Sequence, residues 1–206
     1  MSDKTSPNLE DKILEVAEIL FLEQGFVKTT TGQIAKMAGC NQALVHYYYR
    51  TKDKLFNQIV EKKIKETLPG LMRSFDTSNT FKDKISNLAE AHFDVLSKNP
   101  KVFPFIFNEV TSNPQRIQSV FKKISTFPIE ALQKVGNELE SEIKKGNIAK
   151  ITLMDLALTI GSLNLGFVII ISILKNVMNY SEEQIDTIME TRKKEIVSTI
   201  LKRLEP

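Results

Sequence analysis

Residues 42–54, QALVHYYYRTKDK, place one amide (Gln42), one imidazole (His46), three phenols (Tyr47, Tyr48, Tyr49) and three cations (Arg50, Lys52, Lys54) within 13 positions. Amides and phenols bond to base edges and phosphate oxygens, and cations displace the counterions of a polyanion, so this is side-chain chemistry for holding a nucleic acid. A basic run taken alone reads equally well as a solvated loop. Catalysis has far less to work with. The chain holds two histidines, His46 and His92, and one cysteine, Cys40, with no Cys/His metal-ligand cluster, glycine-rich phosphate loop or G-x-S-x-G turn. An enzyme is not expected, and neither is a cofactor or a metal.

To present those groups, the backbone ahead of them must turn sharply. Ile13, Leu14, Val16, Ala17, Leu20 and Phe21 recur at spacings of three and four, which gives a helix one apolar face, and Gly25 predicts its end at about Gln24. Thr29, Thr30 and Thr31 offer an N-cap for a helix turning Ile34, Ala35 and Ala38 inward, and Gly39 breaks it. Asn41 is the next N-cap. Its helix carries Val45 and Tyr49 inward at a spacing of four and spreads Gln42, Ala43, His46, Tyr47 and Tyr48 over the exposed sides. Two helices joined by so short a turn cross steeply, which is helix-turn-helix geometry, with the second helix entering the major groove by its N-terminal end.

Charge placement agrees with this, although the chain is only +3 overall. Residues 1–25 set Lys4 and Lys12 against six acids, whereas residues 26–56 set Lys28, Lys36, Arg50, Lys52 and Lys54 against Asp53 alone. Positive charge therefore collects where phosphate would sit.

The order Ala17, Phe21, Gly25, Thr30, Ile34-Ala35, Ala38-Gly39 and Ala43 to Leu55, ending in YYYRTKDKLF, resembles the DNA-binding domain of the TetR family of bacterial transcriptional regulators. The resemblance covers residues 10–60 and is architectural beyond them. Four positions depart from the usual pattern: Cys40 for valine, Leu44 for threonine or another small residue, His46 for tyrosine and Tyr49 for phenylalanine. None breaks the helix. The resemblance implies an all-α protein of about nine helices. A three-helix DNA-binding domain would occupy residues 1–54, with a fourth helix from Lys52 connecting it to a ligand-binding and dimerisation domain over 55–206.

Carried over position by position, the pattern implies that Gln42, Ala43, Leu44 and Tyr47 read bases. Gln42 would bond bidentately to adenine, and Ala43 and Leu44 would touch a thymine methyl. Thr31, the backbone N–H of Gly32, His46, Tyr48 and Lys52 would hold phosphates, Lys52 aided by the dipole of the helix it starts. Tyr49 reads as core. Cys40 is either a redox sensor or, more simply, a small apolar filler between two helices.

Past the first domain every segment reads as helix. The fourth runs from Lys52 to about Thr67 and ends near Pro69-Gly70, and Ser74 to Thr80 is the most loop-like stretch. Thr80 caps a helix through Ser97, and Pro100 and Pro104 bracket a short Phe-rich segment. Pro114 opens a pattern toward Lys145 that Pro128 should kink. Thr152 to about Asn179 and Ser181 to Leu204 complete the set.

Leu156 to Leu174 contains no charge and as a helix would span about 28 Å, near bilayer thickness. A membrane anchor is one reading, in which case the chain would be a membrane-associated or helical interaction protein without DNA binding. Thr159, Gly161, Ser162, Asn164, Gly166 and Ser172 favour instead a buried helix, one face in its own domain and the other against a second copy. Gly161 and Gly166 let helices approach closely. With Ile188 and Ile196 of the last helix they are the expected four-helix homodimer interface.

The expected partners are thus a double-stranded DNA operator, a second copy and a small apolar or amphipathic ligand, with no membrane. Phe93, Phe103, Phe107, Phe121, Asn164 and Phe167 are the candidate ligand pocket, although an aromatic at helical spacing is more often core. A single cysteine and no apolar run after Met1 place the chain in the cytoplasm.

Overall fold

The computed structural model describes residues 8–76, 80–113 and 129–206, together with Gln115, Arg116, Gln118 and Lys122. Among them the fold is all-α, with nine helices: α1 (Leu9–Lys28), α2 (Thr31–Ala38), α3 (Gln42–Tyr49), α4 (Lys52–Asp76), α5 (Phe81–Lys98), α6 (Val102–Ser112), α7 (Ile129–Lys144), α8 (Leu153–Asn176) and α9 (Glu182–Arg203). Pro114, Phe121, Phe127 and Pro128 lie outside the described residues.

The caps follow the local chemistry. Thr30 and Gln33 form a reciprocal capping box at α2, as do Ser181 and Gln184 at α9, and Asn41, Thr80 and Thr152 each accept a backbone N–H at α3, α5 and α8. Two helix ends were misread. The fourth helix does not stop at Pro69 but runs through it to Asp76. An interior proline costs about 3 kcal/mol, yet the last turn is anchored by Phe75, buried and edge-on to Phe81 with ring centroids 6.1 Å apart. Pro104 likewise brackets nothing. It sits in the first turn of α6, where its missing N–H has no helical partner to lose, and the helix continues to Ser112.

The chain divides into two compact units. The first takes in the residues up to Lys65 and the stretch from Phe105 to Ile124. Its core is Ile13, Ala17, Phe21 and Phe26 of α1, Ile34, Ala35 and Ala38 of α2, Val45 and Tyr49 of α3, and Leu55, Phe56, Ile59 and Val60 of α4. Phe105 of α6 completes it, 6.2 Å from Phe21 and 5.9 Å from Phe56 between ring centroids.

The second unit comprises Glu66 to Pro104 and Ser125 to Pro206. Phe75, Phe81, Ile85, Phe93, Leu139, Leu156, Ile160, Phe167, Ile196 and Ile200 fill its core. Lys84–Glu138 at 2.7 Å and Lys193–Asp94 at 2.8 Å tie its helices at the rim. Helix α8 is long and apolar enough to cross a membrane by length and composition. Within the single chain it is buried on one face only, by Leu156, Ile160, Asn164, Phe167 and Val168. Met154, Leu158, Ile169 and Ile173, on other sides, are 40% to 68% exposed.

Candidate nucleic-acid interface

Two glycines set the frame of α1 to α3. Gly25 (φ 81°) breaks α1 where the sequence predicts a stop, and a further turn, Phe26 to Lys28, follows the kink. Gly39 (φ 75°) ends α2, with the Cys40 N–H returning to the Ala35 carbonyl at 2.9 Å, a left-handed closure that a side chain would strain. Cys40 is half-buried against this core, as a filler would be.

Helix α3 is thereby held by one face. Val45 and Tyr49 are buried, and the Tyr49 hydroxyl donates to the Glu10 carbonyl at 3.0 Å. Burial, with the Glu10 and Asp11 carboxylates nearby, pushes this phenol up to about 12. The opposite face carries Gln42, Ala43, His46 and Tyr47, all exposed, with Leu44 and Tyr48 half-buried beside them. Tyr47 is 77% exposed and meets Tyr48 edge-on at 5.3 Å. The predicted base-reading residues therefore share a surface. Thr31 and Gly32, at the start of α2, adjoin it: the Gln42 amide donates to Thr31 Oγ1 at 2.8 Å. Lys28, Lys36, Arg50 and Lys54 are exposed cations of the same unit.

Lys52 is used differently from the phosphate role expected of it. Its ammonium donates to the carbonyls of Phe26 at 2.6 Å and Thr29 at 2.8 Å, reaches Val27 at 3.4 Å, and lies 4.3 Å from the Phe26 ring centre. An ammonium has three N–H donors, so this one is occupied as a cap on the end of α1. Burial, followed by the Arg116 guanidinium, holds it below the usual lysine range.

Arg116 was missed, and Glu109 was not expected beside it. The Arg116 guanidinium contacts Glu109 at 2.5 Å and Asp53 at 3.1 Å and lies 3.6 Å from the centre of the Phe26 ring. One signal was available. Glu109 is the single acid of VFPFIFNEVTS, and a carboxylate inside an apolar helix needs a partner. Its partner, seven residues on, had no such mark.

The candidate ligand residues are brought together in part. Phe93 and Phe167 are buried and stack on each other at 5.6 Å, beside fully buried Asn164. The Asn164 amide donates to the Ala89 carbonyl at 3.1 Å and to His92 Nδ1 at 2.9 Å. Phe103 is half-buried, but Phe107 is 51% exposed and belongs to the first unit, and Phe121 is outside the described residues. Two grooves of the second unit, about 610 and 440 Å³, are lined by other residues, among them Phe81 and Glu138 in one and Leu139 and Leu153 in the other.

Of the dimer candidates, Gly161 and Gly166 have open space where a Cβ would stand, and Ile188 is half-buried. Ile196 must be corrected: at 1% exposure its side chain fills its own unit's core and has no surface for a partner.

A family model described as "Bacterial regulatory proteins, tetR family" matches residues 13–59, which span the three helices of this surface. Over these residues the chain belongs to the TetR family. Among relatives, the transcriptional regulator QacR of Staphylococcus aureus is 43% identical over 53 residues, 26% of this chain and 28% of QacR. The biofilm operon negative regulator IcaR of Staphylococcus epidermidis is 26% identical over 137 residues, 66% of this chain and 68% of IcaR. The fold matches that of the regulator FadR of Bacillus subtilis, solved in complex with stearoyl-CoA, with a TM-score of 0.67 at 16% identity, covering 91% of this chain and 97% of that one. These relatives are transcriptional regulators, not enzymes, in keeping with the scarcity of catalytic side chains.

Proposed function

We propose that this TetR-family regulator is a cytoplasmic repressor that binds a near-palindromic operator as a homodimer and is released when a small apolar or amphipathic molecule enters its second unit. One observation carries the DNA-binding part. The exposed face of α3 gathers Gln42, Ala43, His46 and Tyr47 while its other face is buried, so their positions are set by the core and not by loop motion. Gln42, Ala43, Leu44 and Tyr47 read bases; Thr31, Gly32 and Tyr48 hold phosphates.

A single α3 reaches only a few base pairs, so recognition requires two. The exposed stripe Met154, Leu158, Ile169 and Ile173 supports a second copy packed along α8, Gly161 allowing close approach. A two-fold axis there would set the two α3 helices about 34 Å apart, one turn of DNA. A ligand then acts by favouring a conformation with the wrong spacing, and its affinity and that of the operator are reciprocally coupled. The negative regulator IcaR and the acyl-CoA complex of FadR support the sign of regulation and the ligand class.

An electrophoretic shift with DNA upstream of the protein's own coding region tests this reading. The expected result is a discrete complex, its base preference relaxed by about 1–3 kcal/mol on substituting Gln42 and its affinity weakened by long-chain acyl compounds. Binding that follows charge alone, with random DNA competing equally, would overturn it.

A further inference from the structure

Around Gln42 the hydrogen-bond roles are set by what each atom can do. The Arg50 carbonyl only accepts, so the His46 Nδ1, 3.2 Å away, carries the proton and donates. In the neutral ring the other nitrogen, Nε2, is then an acceptor. It faces the Gln42 amide nitrogen at 3.4 Å, while that nitrogen also donates to Thr31 Oγ1 at 2.8 Å. Turning the amide over would set its Oε1 against the Nε2 lone pair, acceptor against acceptor. The imidazole thus selects one amide orientation.

We infer that His46 is a positioning residue, which holds Gln42 so that it reads its base through Oε1, as a hydrogen-bond acceptor. This rests on the reading of Gln42 as a base-contacting residue. Bidentate recognition of adenine needs Oε1 on the N6 amino group and an amide N–H on N7. The Gln42 amide nitrogen already faces two acceptors, Thr31 Oγ1 at 2.8 Å and His46 Nε2 at 3.4 Å. What remains is an acceptor. It matches the exocyclic amine of adenine N6 or cytosine N4 and opposes guanine O6 and thymine O4, so the preference at this position is amino base over keto base. Thr31, accepting from Gln42, keeps its own O–H to donate outward. His46 therefore contributes to specificity without touching DNA.

The test uses the full-length chain and duplexes carrying its bound sequence with each base pair replaced in turn. Wild type should favour A or C over G or T by about tenfold or more at one position in each half-site. His46→Leu should erase that preference while leaving the salt dependence unchanged. His46→Gln, whose Oε1 can stand where Nε2 stood, should restore it, and in a Gln42→Ala background His46→Leu should change nothing further. His46 and Gln42 are exposed, so the variants should fold, and thermal melts matching that of the wild type are the control. If His46→Leu weakens all duplexes alike with a shallower salt dependence, His46 is itself a phosphate contact and the inference fails. Retained amino-over-keto preference in His46→Leu also overturns it. If Gln42→Ala leaves base preference intact, the underlying reading of Gln42 fails with it, a result distinct from the other two.

Discussion

Lys52 and Phe26 are joined twice: the Lys52 ammonium donates to the Phe26 carbonyl at 2.6 Å and stands 4.3 Å from the centre of the same residue's ring. The first residue of α4 therefore closes the end of α1. Substituting methionine keeps the stem and removes the donors, leaving the Phe26 and Thr29 carbonyls without this partner. A loss of about 1–3 kcal/mol follows, measured as a lower urea midpoint. Unchanged stability with a reduced salt slope of DNA binding would return Lys52 to the phosphate role.

Arg116 neutralises Glu109, which is 8% exposed. Arg116→Ala strands that carboxylate in the first unit and is expected to destabilise by roughly 2–4 kcal/mol, because an unpaired buried charge loses its solvation without compensation. Adding Glu109→Gln should recover most of the loss. Additive effects of the two substitutions in denaturant melts would refute the coupling.

His92 gives the second unit a pH dependence. Burial lowers its pKa from the ordinary value, and the Asn164 amide, donating to Nδ1, requires the neutral ring. Between the lowered folded value and the unfolded value of about 6.5 the unfolded chain holds more protons, so stability rises with pH through that window and flattens above it. Urea midpoints between pH 5 and 8 should show this slope, and His92→Asn, which keeps an acceptor but does not titrate, should flatten it.

Leu158 is 60% exposed on α8. If the stripe is the dimer surface, two-fold symmetry counts the substitution twice, and Leu158→Asp weakens association by roughly a hundredfold or more. Sedimentation equilibrium at micromolar concentration should return the monomer mass of 23.4 kDa. A dimer mass for the variant would move the interface elsewhere.

What was legible in the sequence was local. Asn41, Thr80, Thr152 and Ser181 announced their helices because a capping side chain bonds within three residues of itself. Gly25 and Gly39 marked breaks because their backbone conformations exclude most side chains. The inward positions of α3 followed from periodicity. Partner choice across distance left no such trace. Ile196 belongs to an apolar stripe that could face its own core or a second copy, and only the packing of α5 and α8 decides between them. Lys52 reads as a surface cation until the carbonyls of Phe26 and Thr29 are found around it. Phe103, Phe105 and Phe107 are alike in sequence, yet Phe105 packs against the core of the first unit and Phe107 faces solvent.

The ring of Phe105, packed against Phe21 and Phe56, bears on how the protein is born. During synthesis at about 5–20 residues per second, α1 to α3 leave the ribosome roughly 3–11 s before Phe105. The DNA-reading surface is therefore not at full strength when it first emerges. Its last aromatic support arrives only once the chain is half made.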